Sequence, residues 1–260
     1  MSNGLGDRVW AAVLGVSTGE AWLRRDEPKS PEAVAQFERA LAQLDRGVPF
    51  AYAVGCAGFR TLDLRVDPRA LIPRPETEGL VDLVLERWTT GLVADIGTGS
   101  GCIALALAVE GHFDRIVAVE QSAAAAQLAR ENVERVAPRT PIEIREGNLL
   151  EPLVDKGERF RAIVSNPPYL TAAEFAELEP SVRTFEPRTA LLSGADGLDA
   201  TRALFAGAGA VLESGGLLAI EIDERRAAAV RAIGKTHGWV VTIHDDLFGR
   251  HRYALATKEE

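Results

Sequence analysis

The chain predicts a mainly parallel β-sheet covered by helices on both faces, preceded by a small helical segment and a hairpin. Three observations lead there. From Gly91 onward, short apolar runs at 92–96, 115–119, 142–145, 161–165 and 217–222 alternate with helical stretches at 101–110, 123–136, 200–212 and 224–236, the pattern of strands joined by crossover helices. The first of these runs ends in a glycine-rich turn, Asp95-Ile96-Gly97-Thr98-Gly99-Ser100-Gly101, which opens the next helix. Near the carboxyl end, Val240-Val241-Thr242-Ile243 and Tyr253-Ala254-Leu255-Ala256 lie close together with a polar loop between them, which predicts an antiparallel pair at one sheet edge.

Taken in order, residues 1–47 read as helical. Val9, Ala12 and Val13 form a short apolar stripe, and Ser30-Pro31-Glu32 supplies a cap, a first-turn proline and an acidic first turn. Val34, Phe37, Leu41 and Leu44 then follow helical spacing. A segment this small cannot build a rich core alone, so it packs as a bundle or lies against the larger domain, and serves either to dock a substrate or to stabilise. Between Gly47 and Asp67 the texture changes. Pro49, Gly55 and Gly58 break helices while Phe59, Leu62, Leu64 and Val66 alternate with polar residues, so a hairpin is expected to link two domains. Pro75 opens a helix carrying Leu80, Val81, Val84, Leu85 and Trp88 on one side, and Arg74, between two prolines, is held extended. The expected division is therefore a helical docking domain at 1–47, a hairpin linker at 48–74 and a catalytic domain at 75–260.

Composition narrows the function. Of 260 residues, 47% are hydrophobic and 26% charged, which is too apolar for disorder. Lys plus Arg number 29 against 38 for Asp plus Glu, a net charge of −9. That balance argues against a non-specific nucleic-acid binder, which would carry a basic field. Cys56 and Cys102 stand far apart without a CxxC pair, so neither a disulfide framework nor a zinc site is expected, and the reducing cytoplasm fits. His112, His237, His244 and His251 lack metal-ligand spacing, and no metal is expected. Met1 to Gly15 does not read as a signal peptide, and no window approaches the roughly 18 apolar residues of a membrane span.

In an open α/β sheet, ligands bind at the carboxyl ends of the strands. Gly97, Gly99 and Gly101, with Thr98 and Ser100 between them, let the backbone approach a ligand there, and the helix N-terminus offers free N–H groups. The spacing departs from the dinucleotide fingerprint: the third glycine comes one place early, and Cys102 stands where that glycine belongs. Asp95 places a carboxylate where pyrophosphate would be repelled, so a cofactor with a cationic end and no phosphates is expected. Glu120, closing the second strand, is positioned to accept from ribose hydroxyls, and Asn148 and Leu149, ending the third, to flank adenine. After the fourth strand stands Asn166-Pro167-Pro168-Tyr169. Read blandly this is a turn. Its two prolines also remove two N–H donors, leaving the Asn166 side chain and neighbouring carbonyls as an acceptor-rich pocket for a planar NH₂ group. S-adenosylmethionine fits these features, with its amino acid end by Asp95 and the glycine turn, its ribose on Glu120 and its methyl aimed at Asn166. Methyl transfer is an in-line displacement that rests on positioning.

With these residues assembled, the sequence resembles the HemK-type protein-(glutamine-N5) methyltransferases, specifically the peptide chain release factor enzymes. The resemblance covers nearly the whole chain. It is carried by Pro49-Phe50-Ala51-Tyr52-Ala53-Val54-Gly55 with Phe59, Leu71-Ile72-Pro73-Arg74-Pro75-Glu76-Thr77-Glu78, Asp95 to Cys102, Asn166 to Tyr169, and Glu186-Pro187-Arg188 through Gly194 to Asp199. It implies a Rossmann-like class I S-adenosylmethionine-dependent methyltransferase sheet of seven strands, a helical N-terminal domain and a β-hairpin linker. The implied substrate is the glutamine in the Gly-Gly-Gln tip of class 1 release factors, methylated on its side-chain amide; separately, a monomer is expected. Asn166 and the Pro167 carbonyl would hold the amide hydrogens and Tyr169 would wall the glutamine, with Pro168, Arg74 and Glu76 also contacting substrate. Asn148 stands where an aspartate is common in the family, and Asp223 replaces a frequent glycine. Glutamine methylation of a large-subunit ribosomal protein, and N6-adenine methylation of nucleic acid, use the same tetrapeptide. The Arg74–Glu78 segment argues against the first and the acidic composition against the second. A binding module that kept the fold and lost the chemistry is a further class, and the intact Asn166 speaks against it.

Overall fold

The computed structural model describes residues 3–154 and 156–258. The expected domain ranges reach past these at both ends: residues 1 and 2, and residues 259 and 260, lie outside the description, as does Asp155. The amino-terminal segment forms α1 (Asn3–Leu14), α2 (Thr18–Leu23), α3 (Pro31–Asp45) and α4 (Phe50–Val54). Ser30 caps α3 by accepting from the Ala33 N–H, with Pro31 in the first turn, as the sequence predicts. The core here is thin. Val9, Ala21 and Ala40 are buried, Trp10 stacks on Phe37 at 4.2 Å between ring centroids, and Val34, placed on the apolar stripe by its spacing, is exposed.

The hairpin is shorter than the sequence suggests. Phe50–Val54 is helical, with the Ala53 and Gly55 N–H groups donating to the Pro49 and Ala51 carbonyls; the Tyr52 hydroxyl donates to the Ala70 carbonyl at 2.6 Å, and Gly55, at φ 79°, ends the helix in the left-handed conformation. Strand pairing starts only with β1 (Cys56–Phe59) and β2 (Leu62–Arg65), antiparallel with Phe59 opposite Leu62. The buried Phe59 and Leu64 press the hairpin onto the helices of the larger unit.

That unit contains β3 (Leu92–Ile96), β4 (Arg115–Glu120), β5 (Ile142–Glu146), β6 (Phe160–Ser165), β7 (Leu212–Glu221), β8 (Trp239–Asp245) and β9 (His251–Lys258). They form a seven-stranded sheet in the order β5-β4-β3-β6-β7-β9-β8, parallel from β5 to β7 and antiparallel in its last two pairings. Successive residues of a strand point to opposite faces, and both faces are covered. Ala94, Ile96, Val117, Val119 and Ile163 lie in one core with residues of α10 (Asp199–Gly207) and α11 (Ala227–Thr236). Val93, Ile116, Ala118, Ala162 and Val164 lie in the other, with α5 (Pro75–Arg87) and α6 (Cys102–Glu110). Six consecutive residues of α6, Ile103 to Ala108, are buried, as befits a helix apolar on all sides. α7 (Ala123–Val136) is capped by the Ser122 side chain.

Three boundaries differ from the sequence reading. Helix α10 stops at Gly207, followed by a 3₁₀ turn at Ala208–Ala210, because the chain must enter β7 at Leu212, five residues before the apolar run begins. The extra length is absorbed by a register shift opposite Phe160/Ala162. Glu224–Arg226 form a 3₁₀ turn ahead of α11. Two short helices, α8 (Ala172–Glu177) and α9 (Pro180–Phe185), follow the Asn-Pro-Pro-Tyr segment, and α8 begins in a Thr171/Glu174 capping box.

Strand order reverses at β3, with β4 on one side and β6 on the other, so a crevice opens at their carboxyl ends. Register makes those ends level. Ile96 pairs with Val119 and with Ser165, and Ser165 pairs with Ile220. The residues that follow, Gly97, Glu120, Asn166 and Glu221, therefore emerge side by side.

Candidate active site

A cavity of about 400 Å³ occupies this end of the sheet. It is floored by the strand ends and walled on one side by the segment Arg69–Arg74. Gly97, Thr98, Gly99, Ser100, Glu120, Asn148 and Leu149 line it, and so do Asn166, Pro167, Pro168 and Arg74. Asp95, Gly101, Glu76 and Tyr169 are not among its lining residues.

At one end the backbone dominates. Gly97, Gly99 and Gly101 have φ of 73°, 56° and 85°, a left-handed conformation repeated at alternate positions that non-glycine residues resist. The Gly97 and Thr98 N–H groups both donate to the Val119 carbonyl. Beneath the turn Asp95 is fully buried. Its Oδ2 accepts from the Thr98 hydroxyl at 2.6 Å and the Ala104 N–H at 3.1 Å, while its Oδ1 has no partner. Burial pushes its carboxyl up to about 7, against the pull of Thr98. The Glu120 carboxylate accepts from the Gly99 N–H and the Ser122 N–H, both at 2.9 Å. It thus braces the turn while keeping lone pairs for a further donor, since a carboxylate has about four acceptor sites. Asn132, buried, links this turn to the hairpin. Its amide donates to the Ser100 and Arg65 carbonyls and accepts from the Arg65 N–H.

The other end is held by side chains. Asn166 donates from Nδ2 to the Thr77 hydroxyl at 3.0 Å, and Thr77 donates to Glu221 Oε2 at 2.7 Å. Among the described residues, neither Asn166 Oδ1 nor the Pro167 carbonyl accepts a hydrogen bond. Ser165 ties β6 to β3 by donating to the Ile96 carbonyl at 2.7 Å. Arg74 is anchored by Glu186 at 2.5 Å, whose second oxygen accepts from the Ile72 N–H. Farther along, Arg69 pairs with Asp67 and Glu131, so the wall segment is pinned at both ends. Tyr169, outside the lining, is half-buried, and desolvation followed by the charge of Glu221 pushes its phenol up to about 12. The carbonyl of Glu76, first turn of α5, accepts from the Tyr253 hydroxyl on β9.

Thr77, Glu221, Glu186 and Asn132 were not singled out from the sequence. Glu221 carries the signal read at Glu120, a carboxylate closing an apolar strand run. Thr77 and Glu186 lie inside the Leu71–Glu78 and Glu186–Arg188 segments without a spacing of their own to mark them, and Asn132 has no local mark.

Solved methyltransferases share this architecture. The chain is similar to a methyltransferase from Pyrococcus furiosus, with 20% identity and a TM-score of 0.57 over 83% of this chain and 95% of that one. It is also similar to the hMettl16 catalytic domain, solved with an RNA hairpin, with 21% identity and a TM-score of 0.61 over 88% of this chain and 82% of that one. The fold is that of the class I S-adenosylmethionine-dependent methyltransferases. The residues present suit that cofactor: a buried Asp95 oxygen with no donor, a glycine turn whose Gly97 faces open space, and a Glu120 carboxylate with spare lone pairs. Residues 7–55 match the PrmC N-terminal domain and residues 76–179 the methyltransferase small domain. A release factor glutamine methyltransferase of Xylella fastidiosa is 44% identical over 96% of this chain and 92% of its own length. Those of Geobacter sulfurreducens and Moorella thermoacetica are 41% and 39% identical, over 85% and 96% of this chain and 76% and 89% of their own lengths. The chain belongs to the release factor glutamine methyltransferase family.

Among the described residues no helix is long and apolar enough to cross a membrane, and Cys56 and Cys102 are both free.

Proposed function

We propose that this chain transfers a methyl group from S-adenosylmethionine to the side-chain amide nitrogen of the glutamine in the Gly-Gly-Gln segment of class 1 release factors. The observation that carries the reading is the pair of unengaged acceptors at the corner, Asn166 Oδ1 and the Pro167 carbonyl. A primary amide presents two N–H hydrogens, and two fixed acceptors match it. The bound cofactor supplies an electrophilic methyl carbon on a sulfonium. The chain's own groups do the rest. An amide nitrogen is a poor nucleophile because its lone pair is delocalised into the carbonyl. Acceptors that grip both hydrogens favour density on nitrogen and align it for displacement. Proline at 167 and 168 removes the donors that would compete for these acceptors.

At the other end of the cavity, Asp95 and the glycine turn take the amino acid end of the cofactor, Glu120 the ribose, and Asn148 and Leu149 the adenine. Arg74 and Pro168 flank the incoming glutamine, and residues 1–47 dock the body of the release factor while 48–74 link them to the catalytic domain. Relatedness of 44% over nearly the full chain supports the choice of substrate.

Labelled cofactor incubated with the purified protein is expected to label a release factor bearing Gly-Gly-Gln and not its Gly-Gly-Ala variant. Parallel incubations with ribosomal protein and with DNA are expected to stay unlabelled. Equal labelling of both release factors would overturn the glutamine assignment.

A further inference from the structure

Three side chains from three distant segments form one hydrogen-bonded line at the acceptor corner, running inward from the cavity. Glu221 ends β7, Thr77 lies in the first turn of α5 and Asn166 follows β6. Glu221 and Thr77 are each 2% exposed, so no bulk water substitutes for either partner. A hydroxyl has a single proton. Thr77 gives it to Glu221 Oε2 at 2.7 Å and so has only lone pairs for Asn166, 3.0 Å away. The Asn166 amide must then turn its NH₂ toward Thr77 and its Oδ1 away from it.

We propose that Glu221 and Thr77 are positioning residues that fix which end of the Asn166 amide meets the substrate, and that ionised Glu221 is what keeps Oδ1 presented as an acceptor. The inference rests on the glutamine reading above and deepens it. A neutral Glu221 could itself donate to Thr77, freeing the Thr77 proton for Asn166 Oδ1. The amide would then turn over and set its NH₂ against the substrate's NH₂, donor against donor. Catalytic competence therefore follows the ionisation of a carboxyl that never touches the reacting atoms.

The surroundings of Glu221 bring that ionisation into the neutral range. Burial raises its carboxyl to about 7, opposed by the Thr77 bond and by the charge of Arg252 on β9, raised by Glu76 and lowered by Arg74 at the start of α5. Tyr253 on β9, Tyr169 after β6 and Cys102 at the start of α6 also face it.

The test measures kcat at saturating cofactor against a Gly-Gly-Gln release factor, from mildly acid to mildly alkaline pH, with cofactor Kd measured alongside. Saturation removes any titration that acts only through cofactor binding, such as that of Asp95. Wild-type kcat is expected to fall as pH drops through about 7. Thr77→Val is expected to lose about 10- to 100-fold in kcat, the scale of a misplaced catalytic group, with cofactor Kd unchanged. Thr77→Ser, which keeps the hydroxyl, is expected to recover most of the rate. Glu221→Gln is expected to be slow and to lose the acid limb. A Thr77→Val enzyme with wild-type kcat, a Ser variant as slow as Val, or an acid limb that survives in Glu221→Gln would each overturn the relay while leaving the glutamine reading intact. A wild-type protein that labels no release factor would overturn the glutamine reading, and the relay with it.

Discussion

The two ends of the cavity are built on different principles. At the cofactor end the defining bonds are local in sequence: Asp95 to Thr98 spans 3 residues, Asp95 to Ala104 spans 9, and Glu120 to Gly99 spans 21. At the acceptor end Asn166 to Thr77 spans 89, Arg74 to Glu186 spans 112 and Thr77 to Glu221 spans 144. One end is a folded turn with a brace, mostly backbone. The other is a meeting of side chains that exists only once the sheet has closed. The glycine turn and its brace can thus be encoded in one βαβ unit, whereas the corner at Asn166 is assembled from segments distributed over the chain.

If the two ends are separable, substitutions at each should move different constants. The largest effect is expected at the acceptor end: Asn166→Ala should lower kcat by about 10²- to 10³-fold, the scale for losing one fixed polar group aimed at the reacting centre. Cofactor Kd by calorimetry should stay at the wild-type value, and a weakened Kd would blur the division. Next comes Glu120→Ala, which removes the brace for the Gly99 and Ser122 N–H groups. A charge-assisted hydrogen bond contributes about 2 kcal/mol, so cofactor Kd should weaken by roughly thirtyfold with kcat at saturation little changed. An unaltered Kd would count against the ribose role. The smallest effect is graded with pH. Because Asp95 sits at about 7 when ligand-free, a cationic partner must displace its proton, and Kd should tighten by about tenfold per pH unit as pH rises toward that value. The sign for folding is opposite. The carboxyl is raised above its ordinary value of 3.8, so the ligand-free protein should lose stability as pH rises across that window. Asp95→Asn should flatten both profiles, and a pH-independent wild-type Kd would remove Asp95 from the cofactor's charged end.

The same contrast explains what was legible in the sequence. The strands of the sheet announced themselves as apolar runs or, in β5, as alternation of Ile142 and Ile144 with charged residues, and the Asp95–Gly101 turn and the Glu120 strand end were readable because spacing alone fixes them. The corner at Asn166 was readable too, as two prolines after a buried strand. What escaped was whatever depends on tertiary approach. Phe50–Val54 is short enough for either secondary structure, and its Tyr52 is tied to Ala70, 18 residues on, only in the folded chain. The Thr77–Glu221 line cannot be inferred from a spacing of 144 residues. Tyr169 adjoins Asn166 through two prolines, yet it is not among the residues that line the cavity. The capping box at Thr171 was a local signal in plain view, with only one helical turn of pattern behind it.

Strand β9 follows β8 in the chain but lies inside it in the sheet, hydrogen-bonded to β7 on one side and β8 on the other. On a ribosome, where the amino end emerges first, β8 therefore leaves the exit tunnel with no neighbour available and must wait as an unpaired edge. The same late strand brings Tyr253, whose hydroxyl clamps the Glu76 carbonyl next to Thr77. The group that clamps the first turn of α5 is therefore synthesised long after the Asp95–Gly101 turn.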